Sequence, residues 1–194
     1  MGIIMNEDGG SSEPGPSSQS KSWINKITSV FSDQPRDEGE LIEMLRDAER
    51  RNVLEADALS IIECALQVCD MQVREIMIPR SQVVVVKAGA DPEAFLSDLV
   101  NSQHSRFPVV GESLDDVQGI LLAKDLLQLV LVKDHQRFDL KDYIRPATVV
   151  PESKRLNVLL QEFRATRNHM AVVVDEFGAM AGVVTIEDVL EQIV

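Results

Sequence analysis

Aromatic residues, cysteines and long apolar runs are scarce in this chain of 194 residues. Aromatics make up only 4%, so the core must be built mainly from Val, Leu, Ile and Met. The two cysteines, Cys64 and Cys69, have no cluster of other metal ligands around them, which predicts two free, buried thiols on different faces of a helix. No apolar stretch approaches the roughly 20 residues that a membrane-spanning helix needs, which predicts a soluble protein.

Positive charge is also in short supply. The chain has 19 Lys and Arg against 32 Asp and Glu, a net charge of −13, and such a surface repels a phosphate backbone. Direct nucleic-acid binding is therefore not expected. A Gly-rich phosphate loop, a nucleophile elbow and a His and Cys cluster are all missing from the sequence, which favours a binding module over an enzyme.

The chain does contain an internal repeat. Gly182–Leu190 restates Gly119–Leu127 at an offset of 63, as a glycine, two apolar residues, a leucine or threonine, two variable positions, an aspartate and two apolar residues. Segments 73–80 and 140–146 match at an offset of 67, so a difference of four residues is expected in the loop after the first strand. A half of about 60 residues buries too little surface to be stable alone. The pattern therefore predicts an α+β (α/β) fold of two β-α-β-β-α halves packed sheet to sheet, with pseudo-twofold symmetry and two clefts.

Periodicity and punctuation place the elements of each half. We expect a disordered tail over 1–22, an N-terminal helical segment over 23–72 that includes a Trp23–Phe31 helix, and the two repeats over 73–134 and 135–194. The first repeat should contain a helical turn over 73–80, strands over 83–86, 107–110 and 118–122, and helices starting at Pro92 and Lys124. The second should contain strands over 149–150, 171–174 and 182–184, and helices over 156–163 and from 186.

Thr185 and Asp188 lie where a strand turns into a helix. Thr-x-x-Asp is a capping-box pattern, in which the two side chains only close the helix end. The same geometry also suits a nucleotide, because unpaired N–H groups at a helix N-terminus attract phosphate and a fixed carboxylate can accept ribose hydroxyls. The first repeat keeps Asp125 but has Leu122 in place of the threonine. Both interpretations stay open. Of the two clefts, the one with Thr185 and Asp188 should be the better nucleotide site.

Ser105 and Arg106 precede the second strand of the first repeat. The arginine is either structural, on a strand edge, or faces the cleft and neutralises phosphate. Its counterparts in the second repeat, Asn168 and His169, are less cationic.

These motifs resemble a known family. Tandem halves with Gly-h-h-Thr-x-x-Asp, where h is apolar, resemble a pair of cystathionine-β-synthase (CBS) domains. The fuller set resembles the bacterial CorC family of magnesium and cobalt efflux proteins, and consists of segments 73–81, 104–109, 150–155 and 169–178.

The resemblance implies a ligand, partners and a location. The ligand is AMP or ATP, with Mg²⁺ on its phosphates and no metal bound by protein side chains. The partners are a second copy in a homodimer and a membrane transporter. The protein is expected to be cytoplasmic, with attachment at the inner membrane left open, and relatives usually continue into a transporter-associated domain, so the chain is expected to be truncated. The implied nucleotide contacts are the backbone around Ile78 and Pro79, together with Ser105, Arg106, Phe107, Pro108, Thr185 and Asp188, and a second, weaker cleft has Asp125, His169 and Ala171.

The sequence thus predicts an adenine-nucleotide-binding regulatory module linked to magnesium and cobalt homeostasis. The alternative is a cytosolic interaction protein in RNA or ribosome metabolism, in which the CBS pair is only a dimerisation scaffold.

Overall fold

The computed structural model describes residues 35–126 and 140–194, in two units, Met1–Ala56 and Asp57–Val194. In the first unit, helix α1 (Glu38–Arg50) begins at Asp37, whose side chain accepts a hydrogen bond of 2.9 Å from the Glu40 amide and so satisfies one of the free N–H groups of the first turn. The expected tail over 1–22 and the Trp23–Phe31 helix lie outside the described residues. Within those residues, no helix has the length and apolar character needed to cross a membrane.

The second unit contains the repeat, and its element order confirms the predicted β-α-β-β-α pattern in the second half and the β-α-β-β part of it in the first. Helix α2 (Ala56–Asp70) leads into the first half. That half contains α3 (Val73–Ile76), β1 (Ile78–Pro79), a 3₁₀ turn (Arg80–Gln82), β2 (Val86–Lys87), α4 (Pro92–Ser102), β3 (Arg106–Val110), β4 (Val117–Leu122) and a 3₁₀ turn (Ala123–Leu126). The second half contains a 3₁₀ turn (Leu140–Tyr143), β5 (Thr148–Pro151), α5 (Leu156–Thr166), β6 (Met170–Val174), β7 (Met180–Thr185) and α6 (Ile186–Leu190).

The halves exchange their opening segments. Strand β1 of the first half joins the sheet of the second half, in the order β1-β7-β6-β5, while the other sheet has the order β2-β3-β4. Ile78 pairs with Val183, and at the equivalent place Arg145 bridges to Ile120. Because the two pairings are related by the offsets of 67 and 63, they show that the pseudo-twofold relation extends to individual residues.

A glycine is required where each opening segment crosses a strand. A Cβ on Gly182 would run into the carbonyl oxygen of Ile78, and one on Gly119 would run into the carbonyl oxygen of Arg145. Backbone can approach backbone this closely only where no side chain intervenes. The glycine of the repeat motif is therefore explained by the exchange of opening segments.

The core is aliphatic, as the composition predicts, and the two sheets pack face to face. Ile120 on β4 packs against Val172, Met180 and Val183 on β6 and β7. Helix α5 packs on the β1-β7-β6-β5 sheet and buries Leu156, Leu159 and Phe163 against it. This confirms the predicted sheet-to-sheet packing and positions the strand ends that build the clefts.

The four extra residues of the first repeat lie between β1 and β2, before the strand that the sequence predicts over 83–86, so the predicted position after that strand is wrong. Eight positions separate Ile78 from Val86, whereas four separate Arg145 from Val149, the residue that pairs in the same way. The extra length forms the 3₁₀ turn Arg80–Gln82 and the residues after it.

Other element boundaries also differ from the sequence-based predictions. The strand expected over 83–86 is paired only at Val86 and Lys87, because β3 offers partners to those two residues alone. Pro79 belongs to a strand at the edge of its sheet, where its missing N–H costs no ladder bond. The helix expected from Lys124 begins as a 3₁₀ turn, and residues 127–132 lie outside the described residues. Both cysteines are free, but Cys69 is exposed and Cys64 half-buried, so the prediction of buried thiols is wrong.

Candidate functional site

A cavity of about 270 Å³ opens between the two halves, beside the exchanged strand β1. One side is contributed by the opening of the first half and by the residues around the start of β3, and the other side by β6, β7 and α6. Its walls are mostly apolar, with polar groups at the rim. The lining consists of Ile78, Gln82, Val83, Val84, Gln103, His104, Ser105, Arg106, Pro108, Met170, Val183, Thr185 and Glu187.

The extra residues of the first repeat form part of this wall and are anchored at their start. Both terminal nitrogens of Arg80 donate to the carboxylate of Asp115, at 2.7 and 3.2 Å, and the amide of Met180 donates to the same carboxylate at 2.9 Å. The Met180 amide and the Arg80 guanidinium together hold the pKa of Asp115 below its ordinary value. This cluster ties the first half's hairpin to β7 of the second half, next to the wall that Gln82 to Val84 build.

Arg106 supplies the positive charge of the cavity. Its side chain is 24% exposed and its Nη1 lies 3.7 Å from Oε1 of Glu187. His169 approaches the same oxygen through Nδ1 at 3.8 Å. Both distances exceed the 2.7–2.9 Å or so of a strong charge-assisted hydrogen bond, so Arg106 is held loosely and can turn toward an anion.

Thr185 and Asp188 form the complete capping box. The threonine amide and hydroxyl each donate to Oδ2 of Asp188 at 2.7 Å, and the Asp188 amide donates to the hydroxyl at 3.2 Å. The Ile186 amide donates to the carbonyl of His169. Two N–H groups of the helix N-terminus are thus already occupied, which removes much of the expected attraction for phosphate there. Among the described residues, Oδ1 of Asp188 accepts no hydrogen bond, so it stays available to a hydroxyl.

The structure gathers most, though not all, of the predicted contact residues around the cavity. Five of them line it, namely Ile78, Ser105, Arg106, Pro108 and Thr185. Pro79 is exposed on β1, Phe107 is fully buried in the first half's core, and neither is among the residues that line the cavity. Asp188 lies one residue beyond the lining residue Glu187 and is half-buried.

Gln82, Glu187 and the valines at 83 and 84 were missed at the sequence level. The valines predict a strand and not a binding site. Nothing in the local sequence distinguishes Glu187 from any other charged residue in the first turn of a helix. The only available signal was the change of offset from 67 to 63, which marks the insertion that carries Gln82 to Val84.

A second cavity, of about 220 Å³, lies at the pseudo-symmetric position. His169 lines it, as predicted for the second cleft, but Ala171 is fully buried in the core and Asp125 is not among the lining residues. Asp125 instead accepts a 3.0 Å hydrogen bond from Arg145. The lining consists of Arg106, Ile120, Leu122, Lys124, Arg145, Pro146, Arg167, Asn168, His169 and Met170. Within the described residues, no group of three or more His, Cys, Asp or Glu could hold a metal ion.

The fold and its paired clefts define a tandem pair of CBS domains. The CBS domain model matches residues 73–132 and 140–194, and a model described as the N-terminal region of NMB0537 matches residues 33–68. The sequence-based recognition of tandem CBS domains preceded by N-terminal helices is confirmed.

The chain belongs to the CorC family, over the CBS-pair portion of that family. The magnesium and cobalt efflux protein CorC of Vibrio cholerae is 46% identical over 190 residues, which cover 98% of this chain and 64% of the relative. The chain thus spans slightly less than two thirds of the length of this relative.

Solved structures support the same assignment. A conserved domain of unknown function from Neisseria meningitidis MC58 is 44% identical, with a TM-score of 0.74 over 78% of this chain and 97% of the other. The CBS domain of a bacterial CNNM/CorC family Mg²⁺ transporter in complex with ATP is 40% identical, with a TM-score of 0.65 over 69% and 94%. A CBS-domain pair with bound AMP from Klebsiella pneumoniae is 30% identical, with a TM-score of 0.58 over 64% and 98%.

Proposed function

We propose that this chain is a regulatory module that binds an adenine nucleotide, AMP or ATP, in the first cavity. The observation that carries the proposal is the arrangement of that cavity, in which apolar walls lead to a loosely held arginine on one side and to the capping box on the other. A flat base fits between Ile78, Val83 and Val183, while Arg106 receives phosphate. Structural relatives with ATP or AMP bound support the same ligand class.

The two interpretations of Thr185 and Asp188 are compatible. Oδ2 of Asp188 closes the helix, and Oδ1 remains free to accept a ribose hydroxyl. The capping box therefore fixes the carboxylate in place, which lowers the entropy cost of holding a ligand.

The wider role follows from the family. We infer that nucleotide occupancy regulates magnesium and cobalt transport through a membrane transporter partner, with Mg²⁺ on the nucleotide phosphates and with two copies forming a homodimer. The module itself performs no catalysis, in keeping with relatives named as efflux proteins and transporter domains. No observation favours the alternative role in RNA or ribosome metabolism.

The test is calorimetric titration of AMP and ATP into variants at Asp188. Asp188→Ala should weaken binding at least about tenfold, since a hydrogen bond to a charged group contributes roughly 1.5–3 kcal/mol. It also removes a helix cap, which costs about 1 kcal/mol of stability, so Asp188→Asn, which can still cap through its amide oxygen, separates the two effects.

Asp125→Ala is the matched control, because Asp125 occupies the same motif position in the other repeat but is engaged with Arg145, whereas Asp188 is held beside the first cavity by the lining residue Thr185. We expect a smaller loss of affinity there. If folded Asp188→Ala and Asp188→Asn both bind AMP and ATP as the unmodified chain does, the assignment is wrong.

A further inference from the structure

The second cavity has an unusual charge for this protein. Half of its ten lining residues are basic, namely Arg106, Lys124, Arg145, Arg167 and His169, and among the described residues no carboxylate lines it. The whole chain carries a net charge of −13. A cleft lined by one sign of charge with low-dielectric walls concentrates ions of the opposite sign. Arg145 pairs with Asp125, and Arg106 and His169 approach Glu187, so within the described residues Lys124 and Arg167 are the cations of this lining that face no carboxylate and suit it to an anion.

The same cavity lacks the groups that would make it a second nucleoside site. At the offset of 63, Leu122 stands in place of Thr185 and Lys124 in place of Glu187, which reverses the charge at that position. The aspartate of the motif, Asp125, is engaged with Arg145 at 3.0 Å. The insertion that walls the first cavity has no counterpart in the second repeat. The second cavity therefore offers positive charge but no free carboxylate to accept a ribose hydroxyl.

The two cavities adjoin. Arg106 and Met170 line both of them, so a ligand that reaches Arg106 from the first cavity is at the edge of the second. His169, which lines the second cavity, also approaches the Glu187 carboxylate that faces Arg106. A chain of phosphates that extends past Arg106 therefore enters the basic cleft.

We propose that the second cavity is a phosphate subsite, which receives the distal phosphates of a nucleotide whose nucleoside occupies the first cavity. This proposal rests on the proposed function and extends it. AMP, with one phosphate, reaches Arg106 only, whereas ATP also reaches Lys124, Arg167 and His169. The basic cleft makes the module selective for the nucleoside triphosphate.

The test compares AMP and ATP by calorimetry on the full chain and on the double variant Lys124→Gln/Arg167→Gln. ATP affinity should fall about tenfold or more, because two charge-assisted contacts are removed, while AMP affinity changes less than about twofold, the ordinary scatter of a distant surface change. Arg164→Gln is the matched control, since Arg164 is exposed and lines neither cavity. Thermal unfolding without ligand checks that each variant is folded.

Titration with inorganic pyrophosphate tests the subsite independently of the nucleoside. Pyrophosphate binding that the double variant abolishes supports an anion site even if the nucleotide assignment fails. Equal losses for AMP and ATP overturn the proposal and leave the proposed function intact. If pyrophosphate binding depends on the two residues but ATP binds no better than AMP, the cleft serves a free anion and the link to the nucleotide is wrong. If the unmodified chain does not prefer ATP over AMP and does not bind pyrophosphate, there is no subsite.

Discussion

The exchange of opening segments makes a sharp prediction about two glycines. A methyl group on Gly182 would overlap the carbonyl oxygen of Ile78, and would lie 3.1 Å from its carbonyl carbon and 3.3 Å from Cα of Pro79. All three contacts are with backbone, so no flexible side chain can move aside. Gly182→Ala must displace β1, whose pairing with β7 consists of only two residues.

The cost of this displacement can be bounded. Forcing an extra methyl into a packed region costs about 1–3 kcal/mol, and in a chain of this size each kcal/mol lowers Tm by roughly 2–4 °C. Because Ile78 lines the first cavity, the displacement also moves one wall of the proposed nucleotide site. We expect AMP affinity to fall at least about fivefold, which corresponds to roughly 1 kcal/mol.

Gly119→Ala separates the effect on binding from the effect on stability. A Cβ on Gly119 would overlap Ile144 and the carbonyl oxygen of Arg145, and its φ of +158° adds strain for any other residue. Its loss of stability should therefore equal or exceed that of Gly182→Ala. Arg145 lines the second cavity and not the first, so AMP affinity should fall by less than about twofold, as for a change distant from the site.

The assay is urea unfolding of both variants, followed by calorimetry with AMP under conditions in which each is folded. Two results would refute the reasoning. If Gly182→Ala is as stable as the unmodified chain, β1 is free to move and the close approach carries no constraint. If the two variants lose AMP affinity equally, then β1 has no particular role in the site.

Two further predictions concern stability. Because Asp115 has a lowered pKa in the folded chain, its hydrogen bond from the Met180 amide and its ion pair with Arg80 stabilise the fold above about pH 4, and this contribution is lost as the pH falls through the folded-state value. Urea midpoints for Asp115→Asn should therefore lie below those of the unmodified chain at pH 7 and converge with them once the pH is below that value, and a constant difference would contradict this. Leu159→Ala should cost about 2–5 kcal/mol, because Leu159 is fully buried, whereas Val158→Ala on the exposed side of the same helix should cost less than about 1 kcal/mol in the same unfolding experiment.

Local sequence was a good guide to the elements of each half. β-branched runs, the proline at the first position of α4 and the apolar spacing of Leu156, Leu159 and Phe163 each predict an element that the structure contains. These signals are local, since they depend on backbone propensity and on one buried face. Pro79 was predicted in a helical turn but lies in a strand. Local signals could not show this, because the strand exists only through its pairing with the other half.

The candidate site was predictable in part. Arg106 and Thr185 could be found because a cation and a hydroxyl at the ends of strands are chemically distinctive. The motif alone could not exclude Phe107 as a nucleotide contact. Strand alternation, however, places Phe107 on the opposite face of β3 from Arg106, in the core. Gln82 and Glu187 are ordinary polar residues whose position at the cavity depends on contacts between the halves, which local patterns do not encode.

By itself, the sequence determined that this protein is a duplicated β-α-β-β unit with an aliphatic core. It also determined that both copies of the motif keep the aspartate but only one copy keeps the threonine. Composition and periodicity suffice for that, because they act on neighbouring residues. Only the tertiary structure decided that each half lends its opening segment to the other, that four extra residues wall one cavity and not its counterpart, and that Arg106 borders both cavities. Those features arise from the packing of segments far apart in the chain, where a contact depends on the register and close approach of both partners.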